Sequence, residues 1–454
     1  MRLRHCVVVG GSVGGLLAAA ALSTGCESVT VVEKDDLPAE PVQRRAVGHG
    51  LQVHALLGSG QAAMELLLPG ITGDMVQAGG MLADSGREIA TYTSQGWSGR
   101  VDTGNPVIYA RRPLIEWAIR KRVLALPNVA VVKGIADGLA AAGDHGRVTG
   151  VRLKGHAEAI AADLVIDASG RSSRAPAWLA GLGYGRPAEQ QLNSYIGYAT
   201  VPVRLPGDAL PDGIAGILTP PHPGHTRGGA IVPCDNGLHL LAGLGMMNTD
   251  PPGDAEGLLA HIDAAPSPLV GELARKAEFA GDIATWRMPG SRRRLWERLE
   301  PRPDAFLVMG DAVMSFNPLY GQGMSVAAVE AVIIGRLLTD PDGSPDGFAA
   351  RAQAAFTPTI DTVFDMVVGM DAFYQGAELH GVRAPSPEAA RAGQILAQLA
   401  TEDAEAALAL KHAAHFFDTG ALRSPSIQAK VASWAADGRA VRYNDPAVLP
   451  PLLA

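Results

Sequence analysis

Residues His5 to Glu33 impose the strongest constraint on how this chain folds. A short apolar run, His5 to Val9, leads into Gly10-Gly11-Ser12-Val13-Gly14-Gly15. Leu16 to Leu22 follow, rich in helix formers, and then a second apolar run, Val29 to Val32, closed by Glu33. The order is strand, glycine turn, helix, strand, the opening unit of a Rossmann-type α/β fold. Glycines let main chain pass close to a ligand, and the first N–H groups of the next helix have no partner within it, which favours an anion. The spacing G-x-G-x-x-G is met at Gly10 and Gly15, with Ser12 in the middle position. Glu33, 23 residues after Gly10, stands where an acidic side chain takes the ribose hydroxyls of an adenosine. These residues together predict a nucleotide-binding end.

Two later segments have the same texture. Ala162 to Arg174 reads as a strand followed by Asp167, Gly170, Ser173 and Arg174 in a turn of small residues. Phe306 to Ala331 is an apolar strand, then Gly310-Asp311, Asn317-Pro318 and Gly321-Gln322-Gly323, then a small-residue helix. Gly-Asp at a strand end offers a carboxylate acceptor, Pro318 has fixed φ and no N–H, and the glycines admit a flat ligand just before a helix N-terminus.

Composition excludes several classes. The 454 residues are more than one small core needs, and 47% hydrophobic content fits a globular chain with a buried site. A net charge of -8 argues against a nucleic-acid partner. The basic run Arg292-Arg293-Arg294, flanked by Glu297 and Glu300, reads as a solvated face. Three cysteines, at 6, 26 and 234, are too few for a disulfide framework and point to a reducing compartment, with Cys6 and Cys26 as small buried apolar residues. The start, Met1-Arg2-Leu3-Arg4 before an apolar stretch, imitates a signal peptide but is interrupted by the glycine turn. No run of 18 apolar residues marks a membrane span. The pairs His222/His225 and His412/His415 have no carboxylate cluster with them and read as loop and surface residues.

Together these segments resemble the flavin-dependent monooxygenases that contain a glutathione-reductase-like FAD domain, the group of aromatic hydroxylases and squalene epoxidase. Nearer still is a bacterial branch of epoxidases and hydroxylases of polyketide and related natural-product pathways. In that branch the late motif reads GDA, NP, then YGQG; this chain has GDAVMSFNPLYGQGMS. Arg44-Arg45 through Val53-His54-Ala55-Leu56-Leu57 and Ala110-Arg111-Arg112-Pro113-Leu114-Ile115-Glu116 also resemble it, while His49, Leu51 and Gln52 depart from its Gln, Arg and His.

The resemblance implies an α/β fold: a glutathione-reductase-like, Rossmann-type FAD-binding domain over residues 1–189 with 286–340, an inserted mixed β-sheet substrate domain over 190–285, and a C-terminal helical region over 346–454. It places Gly10, Ser12, Gly15, Glu33 and Lys34 at the ADP end of FAD, and Arg44 or Arg45 over the ring or adjoining phosphates. Arg112 falls near the ribityl chain or pyrophosphate, Asp167 and Gly170 in the middle motif, and Asp311, Pro318, Gly321, Gln322, Gly323 and Met324 in the flavin motif.

It further implies oxygen transfer from a flavin C4a-hydroperoxide to an apolar or aromatic substrate, with molecular oxygen as co-substrate and no separate catalytic nucleophile or acid-base dyad. No second nucleotide unit is visible, so NADPH or NADH docks transiently or a separate flavin reductase supplies electrons, in the cytoplasm. Flavin halogenases and isoprenoid-type reductases or dehydrogenases share the fold, as would a non-catalytic FAD-binding protein. The halogenase sequence W-x-W-x-I-P is absent, the nearest contexts being Thr285-Trp286-Arg287-Met288-Pro289 and Arg294-Leu295-Trp296.

The middle, 190–285, shows short strands broken by Gly and Pro, including Gly229 to Val232 and Leu238 to Met246, with Ile231, Leu240 and Met246 facing ligand or core. Pro341-Asp342-Gly343-Ser344-Pro345 is a linker, and an Ala-rich helical tail runs to about residue 440, capping the pocket. The final apolar run, Ala447 to Ala454, is too short and proline-broken to span a bilayer.

Overall fold

The computed structural model describes residues 3–143, 146–437 and 444–453; Met1, Arg2, the last predicted helical residues 438–440 and Ala454 lie outside them. In chain order, the elements that position the site begin with β1 (Leu3–Val9), α1 (Val13–Ser23), β2 (Cys26–Glu33), α2 (Gly58–Leu67), β3 (Ile89–Thr93) and α3 (Arg112–Val123). They continue with β4 (Val129–Lys133), β5 (Leu164–Asp167), β6 (Glu189–Arg204), β7 (Gly216–Thr219), β8 (Arg227–Pro233) and β9 (His239–Gly245). Then come α4 (Ala255–Asp263), α5 (Leu269–Lys276), β10 (Ala284–Arg294), β11 (Phe306–Val308), α6 (Gly323–Thr339), α7 (Phe348–Asp371), α8 (Pro387–Leu399), α9 (Ala404–Ala414) and α10 (Pro425–Asp437).

The predicted Rossmann-type core is a five-stranded parallel sheet in the order β11-β5-β1-β2-β4. Its strands are nearly continuous apolar runs because both faces are covered. Val7, Val8, Val31, Val165, Ile166 and Leu307 are fully buried. α1 is apolar on almost every side, since it lies between that sheet and α6. The three sequence segments therefore end side by side: Val9 pairs with Asp167, and Asp167 with Val308.

The second sheet is mixed, with the main order Met314–Ser315, β10, β6, β9, β8, β7, β3, Gly96–Trp97. Its membership crosses the boundaries expected from sequence: β3 and Gly96–Trp97 come from upstream of residue 190, and Glu378–His380 from the C-terminal region pairs with β6. Alternation along the strands divides its residues between two faces. One face, with Ala199, Val201, Ile217, Ile231 and Leu241, is packed under α4 and α5. The opposite face, with Ile196, Tyr198, Ala230, Ala242, Leu244 and Met246, meets Trp286 and Leu319, the latter from the late motif. Ile231 is thus core, Met246 faces the motif, and Leu240 packs with Val53 and Val232.

The C-terminal helices carry their own apolar cluster, Ile395, Leu396, Ala406, Ile427 and Trp434, joined by Val101. Among the described residues, no helix is long and apolar enough to cross a membrane.

Candidate functional site

The glycine turn between β1 and α1 admits no larger residue at two positions. Gly10 has φ +106°, and a Cβ there would lie 2.5 Å from the Ala168 carbonyl oxygen; one at Gly15 would lie 1.8 Å from the Gly10 carbonyl oxygen. Ser12 is the N-cap of α1, yet its side chain does not cap the helix. Its hydroxyl instead donates to Glu116 Oε2 at 2.7 Å and accepts from Arg112 Nη2 at 3.1 Å. The residue that departs from the glycine pattern therefore ties the turn to α3. No acidic residue occupies the first turn of α1, so its N–H groups and dipole stay open to an anion.

A buried ionic cluster surrounds this turn. Glu33 closes β2, accepts the Gly11 N–H at 2.6 Å, and lies 3.2 Å from Arg44 Nη2. Arg44 also donates to Glu116 and, at 3.0 Å, to the Gly11 carbonyl. The sequence placed Arg44 or Arg45 over a ring or phosphates; the structure puts Arg44 at the dinucleotide turn, 5% exposed, and leaves Arg45 exposed. The Glu33 and Glu116 carboxylates hold the buried Arg44 guanidinium above its ordinary range despite desolvation. Lys34, just beyond Glu33, is exposed.

Arg112 opens α3, where Pro113 fits the first turn. Its Nε is buried without an acceptor. Burial lowers its pKa, while Glu116 and Asp311 oppose the shift. Asp311 follows β11; burial raises its carboxyl, and Arg112 and Arg171 pull it back. Arg112 thus contacts the glycine turn and lies in the field of the late motif, linking two segments some 300 residues apart.

In that motif Gly321 has φ +67°, and a Cβ there would sit 2.7 Å from Ala55 Cβ. Gln322 is 2% exposed and its Oε1 has no partner. Gly323 and Met324 begin α6, whose N-terminus lacks both a side-chain cap and an acid in its first turn. Pro318 is half-buried in a short 3₁₀ turn opened by Asn317, whose side chain accepts the Leu319 N–H at 3.0 Å. The middle motif supports this end from behind: Asp167 is fully buried, accepts Ser173 Oγ at 2.5 Å and the Ser169 N–H at 3.0 Å, and is followed by Gly170 at φ +81°.

Sequence reasoning missed Asp371, at the end of α7. Its Oδ2 accepts from Asn317 Nδ2 at 2.8 Å and Ser194 Oγ at 2.9 Å, and its Oδ1 from the Tyr320 hydroxyl at 2.5 Å. One carboxylate therefore joins the late motif to the bulge in β6 between Asn193 and Ile196. Burial raises its pKa, and its three donors oppose that. Tyr198 and Tyr374 lie in its electrostatic range, and their hydroxyls are buried without partners. No local spacing could reveal a contact made 54 residues from Asn317.

Three expectations need correction or extension. Arg292-Arg293-Arg294 is not a solvated face: it ends β10, with Arg293 paired to Glu297 at 2.9 Å and Asp361 at 2.5 Å, and Arg294 to Glu189 at 2.9 Å. Arg293 and Arg294 are 5% and 6% exposed, because the late motif and α7 cover that edge. His412 and His415 are half-buried rather than surface residues; burial pushes His415 down to about 4, and its Nδ1 accepts the Gly58 N–H at 3.2 Å. Cys6 and Cys26 are buried as expected, but adjacent strands also bring their Sγ atoms to 2.6 Å.

The residues fit FAD on their own geometry. Two open helix N-termini, the close-packed glycines, the unpartnered Arg112 Nε and the unpartnered Gln322 Oε1 are what a dinucleotide with an anionic middle and a flat end requires.

This architecture is the α/β fold of FAD-dependent monooxygenases with a Rossmann-type FAD domain. It is shared with a probable FAD-dependent monooxygenase from Pseudomonas aeruginosa, PqsL (TM-score 0.60, 16% identity, 91% of this chain and 100% of that one). It is also shared with a flavoprotein/dehydrogenase from Cytophaga hutchinsonii (0.66, 15%, 95% and 98%) and with the flavin-dependent brominase Bmp2 (0.58, 17%, 94% and 92%). No protein-family model matches the chain. It is 33% identical to protein Rv3254 of Mycobacterium tuberculosis over 379 residues, 80% of this chain and 79% of that protein, and belongs to the same family.

Proposed function

We propose that this protein is an FAD-dependent monooxygenase that places one atom of molecular oxygen into an apolar or aromatic small molecule, by epoxidation or hydroxylation. The other oxygen atom leaves as water, with two electrons from NADPH or NADH, supplied directly or through a reductase. The observation that carries the reading is Arg112, whose guanidinium bonds Ser12 in the dinucleotide turn while lying in the field of Asp311, so both halves of the split site face one buried cation.

Bound FAD would supply the oxygen-activating redox chemistry; the protein supplies binding, orientation and dryness. Glu33 and the α1 N-terminus would hold the adenosine and diphosphate end. Asp311 and Arg112 would hold the sugar-alcohol chain. The open N-terminus of α6 would stabilise negative charge on a reduced ring without reorganising. The mixed-sheet face with Tyr198, Leu244, Met246 and Trp286 would form the water-excluding wall on the substrate side. Natural-product intermediates fit such a wall, and the cytoplasm is the proposed location.

Rapid mixing of the anaerobically reduced protein with oxygen tests the reading. A monooxygenase reoxidises through a resolved transient, and uptake of label from ¹⁸O₂ into product confirms transfer. Single-step reoxidation in every substrate condition would favour a dehydrogenase.

A further inference from the structure

Gln52 is 4% exposed, and both ends of its amide are held by the mixed sheet. Oε1 accepts the Thr200 hydroxyl of β6 at 2.8 Å, and Nε2 donates to the Ala284 carbonyl of β10 at 3.0 Å. Thr200 and Ala284 are register partners, so one side chain clasps two paired strands. His49 packs near both His54 and Trp286, with ring centroids 5.3 and 5.7 Å away, and a Cβ at Gly48 would lie 2.8 Å from Trp286 Cζ3. The irregular stretch between β2 and α2 is thereby fastened to the sheet.

The far end of that stretch is fastened to the late motif. Ala55 packs against Gly321, where a Cβ would meet Ala55 Cβ at 2.7 Å, and the Leu57 N–H donates to Ser325 Oγ in the first turn of α6 at 3.0 Å. His54 stands between these two anchors. Its Nδ1 lies 2.8 Å from the Gln52 main-chain carbonyl, which can only accept, so Nδ1 carries the proton. Burial, and after it Arg112 and His49, hold the imidazole well below its ordinary pKa and hence neutral. A neutral ring protonated at Nδ1 presents a lone pair at Nε2. Among the described residues that nitrogen has no hydrogen-bond partner.

There is room for a partner. Burial is the leading influence on His54, Arg112 and Asp311 alike, yet each keeps accessible surface. A group that protein surrounds and that still keeps accessible surface borders an internal opening. Gly321, against Ala55, and Gly323, where a Cβ would lie 3.5 Å from Asp311 Oδ1, keep accessible surface too. These residues belong to the late motif and the Arg112 end of the split site, so the opening is the seat proposed for the cofactor's sugar-alcohol chain and ring.

We propose that His54 is a further residue of the cofactor seat, its Nε2 accepting a hydrogen bond from a hydroxyl or ring N–H of FAD, and that Gln52 is the positioning residue that aims it. This role rests on the flavin reading. It adds a contact that the motifs do not supply, and it lets paired strands of the mixed sheet set the orientation of a group on the cofactor.

The test dilutes the FAD-saturated protein serially and reads released flavin by fluorescence, which gives a dissociation constant for each variant, with folding checked by urea unfolding of the same samples. His54→Phe keeps a ring and loses the acceptor; it is expected to weaken FAD about 3- to 10-fold, the worth of one neutral hydrogen bond. His54→Gln, which keeps an acceptor, is expected to recover part of that. Gln52→Met and Thr200→Val are each expected to weaken FAD on their own and to add nothing in the His54→Phe background, because they act through His54, while Thr200→Ser keeps the hydroxyl and matches wild type. Unchanged affinity in a folded His54→Phe, or Gln52 and His54 effects that simply add as a general loss of stability would, overturns the proposal. The ¹⁵N shifts of histidine-labelled wild type, with His54 assigned by the signals lost in His54→Gln, read the tautomer independently: Nδ1 protonated is expected, and a protonated Nε2 would overturn the proposal. A folded wild type that takes up no FAD would overturn the flavin reading itself and the His54 role with it.

Discussion

The Ser12 hydroxyl donates to Glu116 at 2.7 Å, so the one non-glycine residue in the dinucleotide spacing fastens the turn to α3. Ser12→Ala removes that bond and the acceptor for Arg112. It is expected to cost about 1.5–3 kcal/mol, the range for a hydrogen bond to a charged group, in urea unfolding, and to loosen FAD. Ser12→Gly, which restores the glycine spacing, is expected to lose as much; unchanged stability would show that the bridge contributes nothing.

Arg44 and Arg45 are neighbours in sequence with opposite environments. Arg44→Met takes from the buried Glu33 and Glu116 the guanidinium they share, leaving Glu33 its backbone donors and Glu116 the Ser12 hydroxyl and Arg120, and is expected to cost about 3 kcal/mol, the low end for breaking a buried pair. Arg45→Ala is expected to stay within about 0.5 kcal/mol, as for an exposed side chain. Equal effects in chemical denaturation would contradict the burial argument.

Asp371 accepts from Asn317, Ser194 and Tyr320, and its removal leaves the buried Asn317 and Ser194 donors and the half-buried Tyr320 hydroxyl without that partner. Asp371→Ala is expected to cost about 3 kcal/mol or more, with each stranded donor costing about 1–3, and to speed FAD release from the disordered motif loop. Retained stability together with slow release would refute the coupling.

Glu330, 1% exposed on α6, accepts the Gly310 N–H at 2.6 Å, and burial raises its pKa to about 8. Its folded pKa lies above the unfolded value of 4.5, so the folded state holds the extra proton. The contribution is therefore complete below about pH 4.5 and is lost as pH rises toward 8. Glu330→Gln keeps a neutral acceptor, so the melting-temperature difference between variant and wild type is expected to grow in the variant's favour from pH 5 to about 8. A pH-independent difference would contradict a neutral Glu330.

Much of the cofactor-side geometry was legible because its signals are local. The strand, glycine turn and helix from His5, the acid at Glu33, the Asp167 turn and the Gly310 to Gly323 loop each declare themselves within a few residues, and the parallel sheet aligns them. What stayed hidden depends on long-range pairing. Ile89–Thr93 joins a sheet built mainly by residues beyond 189, Asp371 reaches back to Asn317, and Lys411 reaches Thr91 across 320 residues. The arginine run looked solvated because flanking glutamates suggest a surface, whereas strand pairing carried it inside.

The most direct measurement is cofactor stoichiometry: purify the protein, saturate it with FAD, remove the excess, and release and identify the bound flavin by chromatography. About one FAD per chain is expected, the occupancy of a single dinucleotide fold, with FMN not retained and with Asp311→Ala and Arg112→Ala each binding more weakly. A correctly folded protein that takes up no FAD, or holds FMN equally well, would contradict the central claim.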